Sequence, residues 1–177
     1  MKLNLASHGD NREGYVNVDF DHPAADLKAD VTDLFTIEDE SVDEILAFHI
    51  LEHFRAGHYE PHLSNPLNPR TVIEALAEWK RVLKPGGRLE IKVPDFEKVI
   101  WLFQNFPTWS RKPGGNDPFP AYSDWLVSNG QHQCIFDRPT MLSVLRAVGF
   151  RDINFVDSSP EAVVNRENIE MYVVCSR

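Results

Sequence analysis

Three histidines and a handful of carboxylates carry most of the chemistry this sequence could do. His49, His53 and His132 are imidazoles, whose ordinary titration range puts a proton donor or acceptor near neutral pH. Asp95 closes a strand-like run and could act beside them or orient one of them. Asp19 closes another, and a carboxylate at a strand end is well placed to accept from both hydroxyls of a nucleoside ribose. The spacing His49-x-x-Glu52-His53 raises a metal question, because on a helix the three would share a face and imidazole with carboxylate binds divalent ions. It is not the H-E-x-x-H pattern of zinc peptidases. No metal is expected.

To position these groups the chain alternates strand-like and helix-like segments, the pattern of an α/β layered fold with a largely parallel sheet. Strands are expected at Leu3–Leu5, at Tyr15–Val18 ending in Asp19, and near Lys28–Val31. Val42–Phe48 reads as a buried central strand, and Arg88–Pro94 as the next. Between these two lies the best helix signal. Thr71 and Glu74 have capping-box spacing, Val72, Leu76, Trp79 and Leu83 share a face, and Pro85-Gly86-Gly87 ends the run. Asp95 is expected to cap a second helix carrying Val99, Leu102, Phe103 and Phe106. A helix over Thr140–Val148 stopped by Gly149, then strands Asp152–Val156 and Glu170–Cys175, close the chain.

Composition narrows the function. The length of 177 residues predicts a single domain, residues 1–177. A formal net charge of -9 disfavours an electrostatic grip on DNA or RNA, so no nucleic-acid partner is expected. No apolar run approaches the roughly 20 residues of a membrane span, and no membrane partner is expected. Met1–Leu5 runs straight into a strand, which leaves no room for a signal peptide. Cys134 and Cys175, far apart and without metal-like spacing, read as small buried apolar residues of a reducing compartment, and the expected location is cytoplasmic. No G-x-G-x-x-G occurs, which disfavours a nicotinamide enzyme.

Three segments together carry a resemblance: Val42-Asp43-Glu44-Ile45, then His49-Ile50-Leu51-Glu52-His53-Phe54, then Glu78-Trp79-Lys80-Arg81-Val82-Leu83-Lys84-Pro85-Gly86-Gly87-Arg88-Leu89. They resemble the class I S-adenosylmethionine-dependent methyltransferases, in the manner of methyltransferase type 11 domains. Gly14-Tyr15-Val16-Asn17-Val18-Asp19, Gly130-Gln131-His132 and Ala147-Val148-Gly149-Phe150 are similar to a compact subgroup often associated with surface-polysaccharide biosynthesis. The resemblance implies a Rossmann-like sheet, mostly parallel with an antiparallel last strand and helices on both faces. It implies S-adenosylmethionine as cofactor, S-adenosylhomocysteine as product and methyl transfer to a small molecule, with a sugar hydroxyl as one acceptor class.

The same resemblance assigns the cofactor to Leu5, Ala6, Ser7, His8 and Gly9 after the first strand, to Asp19 for the ribose, to Asp30 and Val31 for the adenine, and to His49. Ala6 and His8 stand where similar enzymes carry glycines, which is tolerable if the backbone angles there stay negative. A fold that has lost the reaction and serves as a scaffold is the alternative this loop raises. His49, His53, His132 and Asp95 are the candidates to remove an acceptor proton. Residues 107–136, rich in proline and holding Trp109, Phe119, Tyr122 and Trp125, with Arg111 and Lys112, are expected to form a lid or loop insertion over the site, unless a homodimer partner does so.

Overall fold

The computed structural model describes residues 1–56, 70–105, 131–156 and 169–177. The aromatic and basic residues named between 107 and 130 lie outside the described residues, as does Phe106; what is described of the expected insertion is 131–136.

Seven strands form one sheet: β1 (Lys2–Leu5), β2 (Val16–Asp19), β3 (Leu27–Lys28), β4 (Val42–Phe48), β5 (Leu83–Pro94), β6 (Arg151–Phe155) and β7 (Glu170–Ser176). Their order across the sheet is β3-β2-β1-β4-β5-β7-β6. All neighbours from β3 to β5 are parallel, and β7 runs antiparallel to both β5 and β6. The chain starts at the sheet's middle, builds outward through β2 and β3, and returns past β1 to β4. That return leaves a topological switch point between β1 and β4, where a crevice opens beyond the strands' carboxyl ends. On one face β1 and β4 present Leu3, Leu5, Ile45 and Ala47 at 0–1% exposure, the apolar covering a parallel sheet requires, while the other face pairs Asn4 with Leu46.

Helix α1 (Val72–Val82) forms as its sequence predicts. Thr71 accepts from the Glu74 backbone N–H while Glu74 Oε2 accepts from the Thr71 N–H, completing the capping box. Its apolar stripe of Val72, Ala75, Leu76, Trp79 and Val82 is buried. The strand that follows differs from expectation. Pairing with β4 begins at Leu83, opposite Val42, makes an excursion through 84–87, and resumes with Arg88 opposite Glu44. Gly87 is needed there, since a Cβ would lie 2.9 Å from the Lys84 carbonyl oxygen. The third strand is also shorter than expected and stops at Lys28.

Helix α2 (Phe96–Asn105) starts beside Asp95, and α3 (Arg138–Val148) is capped by Asp137 and ends at Gly149 with φ 94°. α1 and α3 pack together, and Lys80 Nζ donates to the Val148 carbonyl at 2.9 Å. Cys134 and Cys175 are both free thiols, and burial pushes each up to about 12. Among the described residues no helix is long and apolar enough to cross a membrane.

Candidate active site

A cleft of about 1070 Å³ opens at the switch point. Its floor is the loop after β1, where Ala6 (φ 51°), His8 (φ 43°) and Gly9 (φ 86°) all have left-handed backbone. The condition under which Ala6 and His8 would be tolerable there, negative backbone angles, is therefore not met. The backbone holds a glycine-type conformation and carries it with a methyl and an imidazole, at about 1–2 kcal/mol per residue. His49, across the cleft at the end of β4, is left-handed too (φ 55°). Among the described residues, three of the five non-glycine residues with positive φ thus line one cleft, the clustering expected where strain serves a site.

What overdetermines that loop is a buried polar chain beneath it. Asn4 Nδ2 donates to the Asp10 carbonyl at 2.8 Å and to Asn17 Oδ1 at 3.0 Å. Asn17 Oδ1 also accepts from the Arg12 N–H, and its Nδ2 donates to Asp26 Oδ2 at 2.7 Å. Asp19, 7% exposed, closes the loop from the other side. Its Oδ2 accepts from the His8 N–H at 2.8 Å, and its Oδ1 from the Asp21 and His22 N–H groups at 3.3 and 3.2 Å. Burial alone would raise the Asp19 pKa, but these backbone donors outweigh it and hold the carboxyl below its usual range. A carboxylate has about four lone-pair sites, so one well-aligned position remains on Oδ2, and the two long bonds to Oδ1 can yield to a hydroxyl. That donor set fits a ribose diol.

Leu5, Ala6, Ser7, His8, Asp19 and His49 all line the cleft, with Phe20 and Asp21 beside them. Gly9 lies in the same loop, against the His22 ring. Asp30 and Val31 are not among the lining residues. Asp30 Oδ1 accepts from the Thr32 N–H and hydroxyl, and the Val31 carbonyl accepts from Trp79 Nε1 at 2.8 Å. The segment they belong to is pinned by the motif helix: Glu78 Oε1 takes the Leu34 N–H, and Arg81 donates to the Leu34 and Ile37 carbonyls.

The opposite wall gathers side chains far apart in sequence. His49 Nε2 lies 2.7 Å from Glu170 Oε1 and His49 Nδ1 3.4 Å from Glu52 Oε1. With a carboxylate at each ring nitrogen, the imidazole is pushed up to about 9, first by Glu170 and then by Glu52. Glu170 in turn sits 3.8 Å from Lys92 Nζ, and the buried Lys98 donates to the Glu170 carbonyl at 2.6 Å. His53 lines the cleft, and burial pushes it below its ordinary range. His132 stands behind it, the rings edge to face with centroids 4.9 Å apart. Residues 51–53 form a single 3-10 turn, so the helical face expected for 49, 52 and 53 does not form. Asp95 is fully buried, does not line the cleft, and accepts the Glu97 and Lys98 N–H groups at the start of α2.

Sequence reasoning passed over Arg12, Lys92, Gln131, Gln133 and Glu170, which also line the cleft. Gln131 and Gln133 flank a histidine already singled out, and that adjacency was the available signal. Glu170 had none, because only the antiparallel return of β7 brings it to the end of β5, opposite Pro94.

A mostly parallel sheet in this order, with an antiparallel strand inserted near one edge and a cleft at the switch point, is the architecture of the class I methyltransferases. Comparison with known proteins agrees. The methyltransferase domain family matches residues 5–91. A SAM-dependent methyltransferase from Archaeoglobus fulgidus superposes with a TM-score of 0.58 at 15% identity, covering 99% of this chain and 85% of that one. An S-adenosylmethionine-dependent methyltransferase from Mesorhizobium loti does so with a TM-score of 0.52 at 14% identity, covering 99% and 90%. The Burkholderia thailandensis 1,6-didemethyltoxoflavin-N1-methyltransferase, solved with bound 1,6-didemethyltoxoflavin and S-adenosylhomocysteine, gives a TM-score of 0.53 at 17% identity, covering 99% and 70%. A sequence search of curated proteins found no match. Residues 5–91 thus match the methyltransferase domain family, and the chain as a whole shares the fold of the S-adenosylmethionine-dependent methyltransferases.

Proposed function

We propose that the protein catalyses methyl transfer to a small-molecule acceptor bearing hydroxyl groups, a sugar being the class that suits the cleft best. The observation that supports this most is the convergence of the β1, β2 and β4 ends on one open cleft, with Asp19 on one side and a polar wall on the other. In this reading Asp19 holds the ribose, the left-handed backbone of Ala6 to Gly9 lies along the methionine portion, and Asp30 and Val31 meet the adenine edge. S-adenosylmethionine supplies a methyl group already activated on a sulfonium. The chain's task is then to align the acceptor and keep water away.

The acceptor end would be lined by His49, His53, Gln131 and Gln133. Imidazoles and amides offer directional donors and acceptors, which suits hydroxyls better than an apolar ring. His49, held between Glu52 and Glu170, serves to fix that wall in place; His132 supports His53 from behind. Asp95 takes no part at the acceptor in this reading.

Calorimetric titration with S-adenosylmethionine and S-adenosylhomocysteine tests the reading, followed by transfer of a labelled methyl group to a panel of sugars and other small hydroxyl compounds. Micromolar binding and label on a sugar support it. A folded protein that binds neither compound would overturn it, and label only on an amine or a carbon acceptor would replace its acceptor class.

A further inference from the structure

Glu52 is a buried carboxylate that the described structure leaves unexplained. It is 2% exposed, and neither carboxylate oxygen has a hydrogen-bond partner among the described residues. Its contacts are ion-pair distances, 3.4 Å to His49 Nδ1 and 4.0 Å to His132 Nε2, both on Oε1. A carboxylate taken out of water without hydrogen bonds is costly, and His49 compensates only in part, since its other nitrogen is committed to Glu170 at 2.7 Å.

Around Glu52 the backbone brings two imidazoles together. His53 is its neighbour in the 3-10 turn, and the Gln133 and Cys134 N–H groups donate to the Glu52 carbonyl at 2.8 and 3.3 Å, which fastens the His132 segment to the same turn. Ligand-capable atoms of Glu52, His53 and His132 all lie within 4.8 Å of one another. Metal bonds of about 2.0–2.2 Å would set such atoms roughly 3.5 Å apart, so closure needs side-chain rotations of about 1 Å.

We propose that Glu52, His53 and His132 bind one divalent transition-metal ion of the zinc class, with the remaining coordination position facing the cleft. Two imidazoles and one carboxylate are a donor set suited to zinc, cobalt or nickel rather than to magnesium or calcium. Three protein ligands with one position left open is the arrangement of reactive rather than purely structural zinc sites. His53 lines the cleft, so the open position is reachable from it. The ion would also satisfy the Glu52 oxygens, which accept no hydrogen bond from the other described residues. This site is distinct from the set 49, 52 and 53 that spacing alone suggests, because His132 replaces His49.

The test uses the full-length protein, freed of affinity tag and metal by chelation, and titrated with zinc by calorimetry and with cobalt by visible absorption. The expected result is one ion per chain, with ligand-field bands for cobalt typical of four-coordinate nitrogen and oxygen ligation. His132→Ala and Glu52→Gln should each weaken binding at least about tenfold. Thermal melts and S-adenosylhomocysteine titration of the same variants report folding, and His132→Asn replaces either one that fails to fold. Absence of zinc and cobalt binding by the folded wild type would overturn the proposal. So would binding that the folded variants retain unchanged. Because the readout is the ion itself, failure here leaves the methyl-transfer reading standing, and the reverse also holds.

Discussion

The two walls of the cleft are built on different principles. The Asp19 wall comes from residues 4 to 26, close in sequence, and its functional surface is largely backbone: left-handed turns at Ala6, His8 and Gly9, tied by Asn4, Asn17 and Asp19. The Glu52 wall draws on residues near 49–53, 92, 131–133 and 170, and its surface is side-chain charge and imidazole. A wall made of local backbone suits a ligand that is always the same. One assembled from distant side chains can change its acceptor while the fold stays put.

The largest effect should come from breaking the first wall at its carboxylate. Asp19→Asn keeps the shape but presents an amide to N–H donors and hydroxyls alike. At about 1.5–3 kcal/mol per hydrogen bond to a charged group, S-adenosylhomocysteine affinity should fall roughly tenfold to a hundredfold by calorimetry. His53→Ala, by contrast, should leave that affinity within about twofold while abolishing transfer to the acceptor. A comparable loss of cofactor binding in that variant would erase the distinction between the walls.

Strain offers a sharper probe. Ala6→Val places a β-branched side chain at φ 51° and should cost about 2 kcal/mol or more in chemical denaturation. Ala6→Gly should change stability by under about 1 kcal/mol, because relief of the left-handed cost is offset by the extra freedom of an unfolded glycine. Trp79→Phe keeps the buried ring but leaves the Val31 carbonyl without its donor, costing about 1–3 kcal/mol.

The smallest effect is acid sensitivity. The folded Asp19 pKa lies below its unfolded value, so its stabilisation is complete above the ordinary aspartate range and disappears as pH falls through the folded value. Cofactor binding by the wild type should therefore persist through the ordinary aspartate range, about pH 4, and weaken only below it. The residual binding of Asp19→Asn should lack that acid limb.

These walls also explain what the sequence could reveal. Helix α1 and its capping box, the ends of β4 and β7, and the placement of Asp19 follow from local periodicity and turn chemistry, which act over a few residues. The backbone angles at Ala6 and His8 do not follow. A network from Asn4 to Asp26 imposes them, and residue types alone did not give their sign. The Glu52 wall was legible only in parts, since His49, His53 and His132 announce themselves as imidazoles while their convergence depends on pairing between segments distant in sequence. The excursion before Arg88 escaped notice for a related reason: Pro85-Gly86-Gly87 reads as a helix stop, and the sequence does not say that Leu83 already pairs with Val42.

The position of β7 has a consequence for biosynthesis. Glu170–Ser176 slots between two strands made earlier, β5 and β6, covering an edge that carries Leu89, Ile91 and Val93. Until the ribosome has extruded residue 176, a nascent chain with β1 to β5 already assembled exposes that long apolar border. Such an unpaired edge recruits other strands. The interval between completion of β5 and arrival of β7 is thus when this protein most needs a chaperone, and slow translation of residues 95–169 would lengthen it.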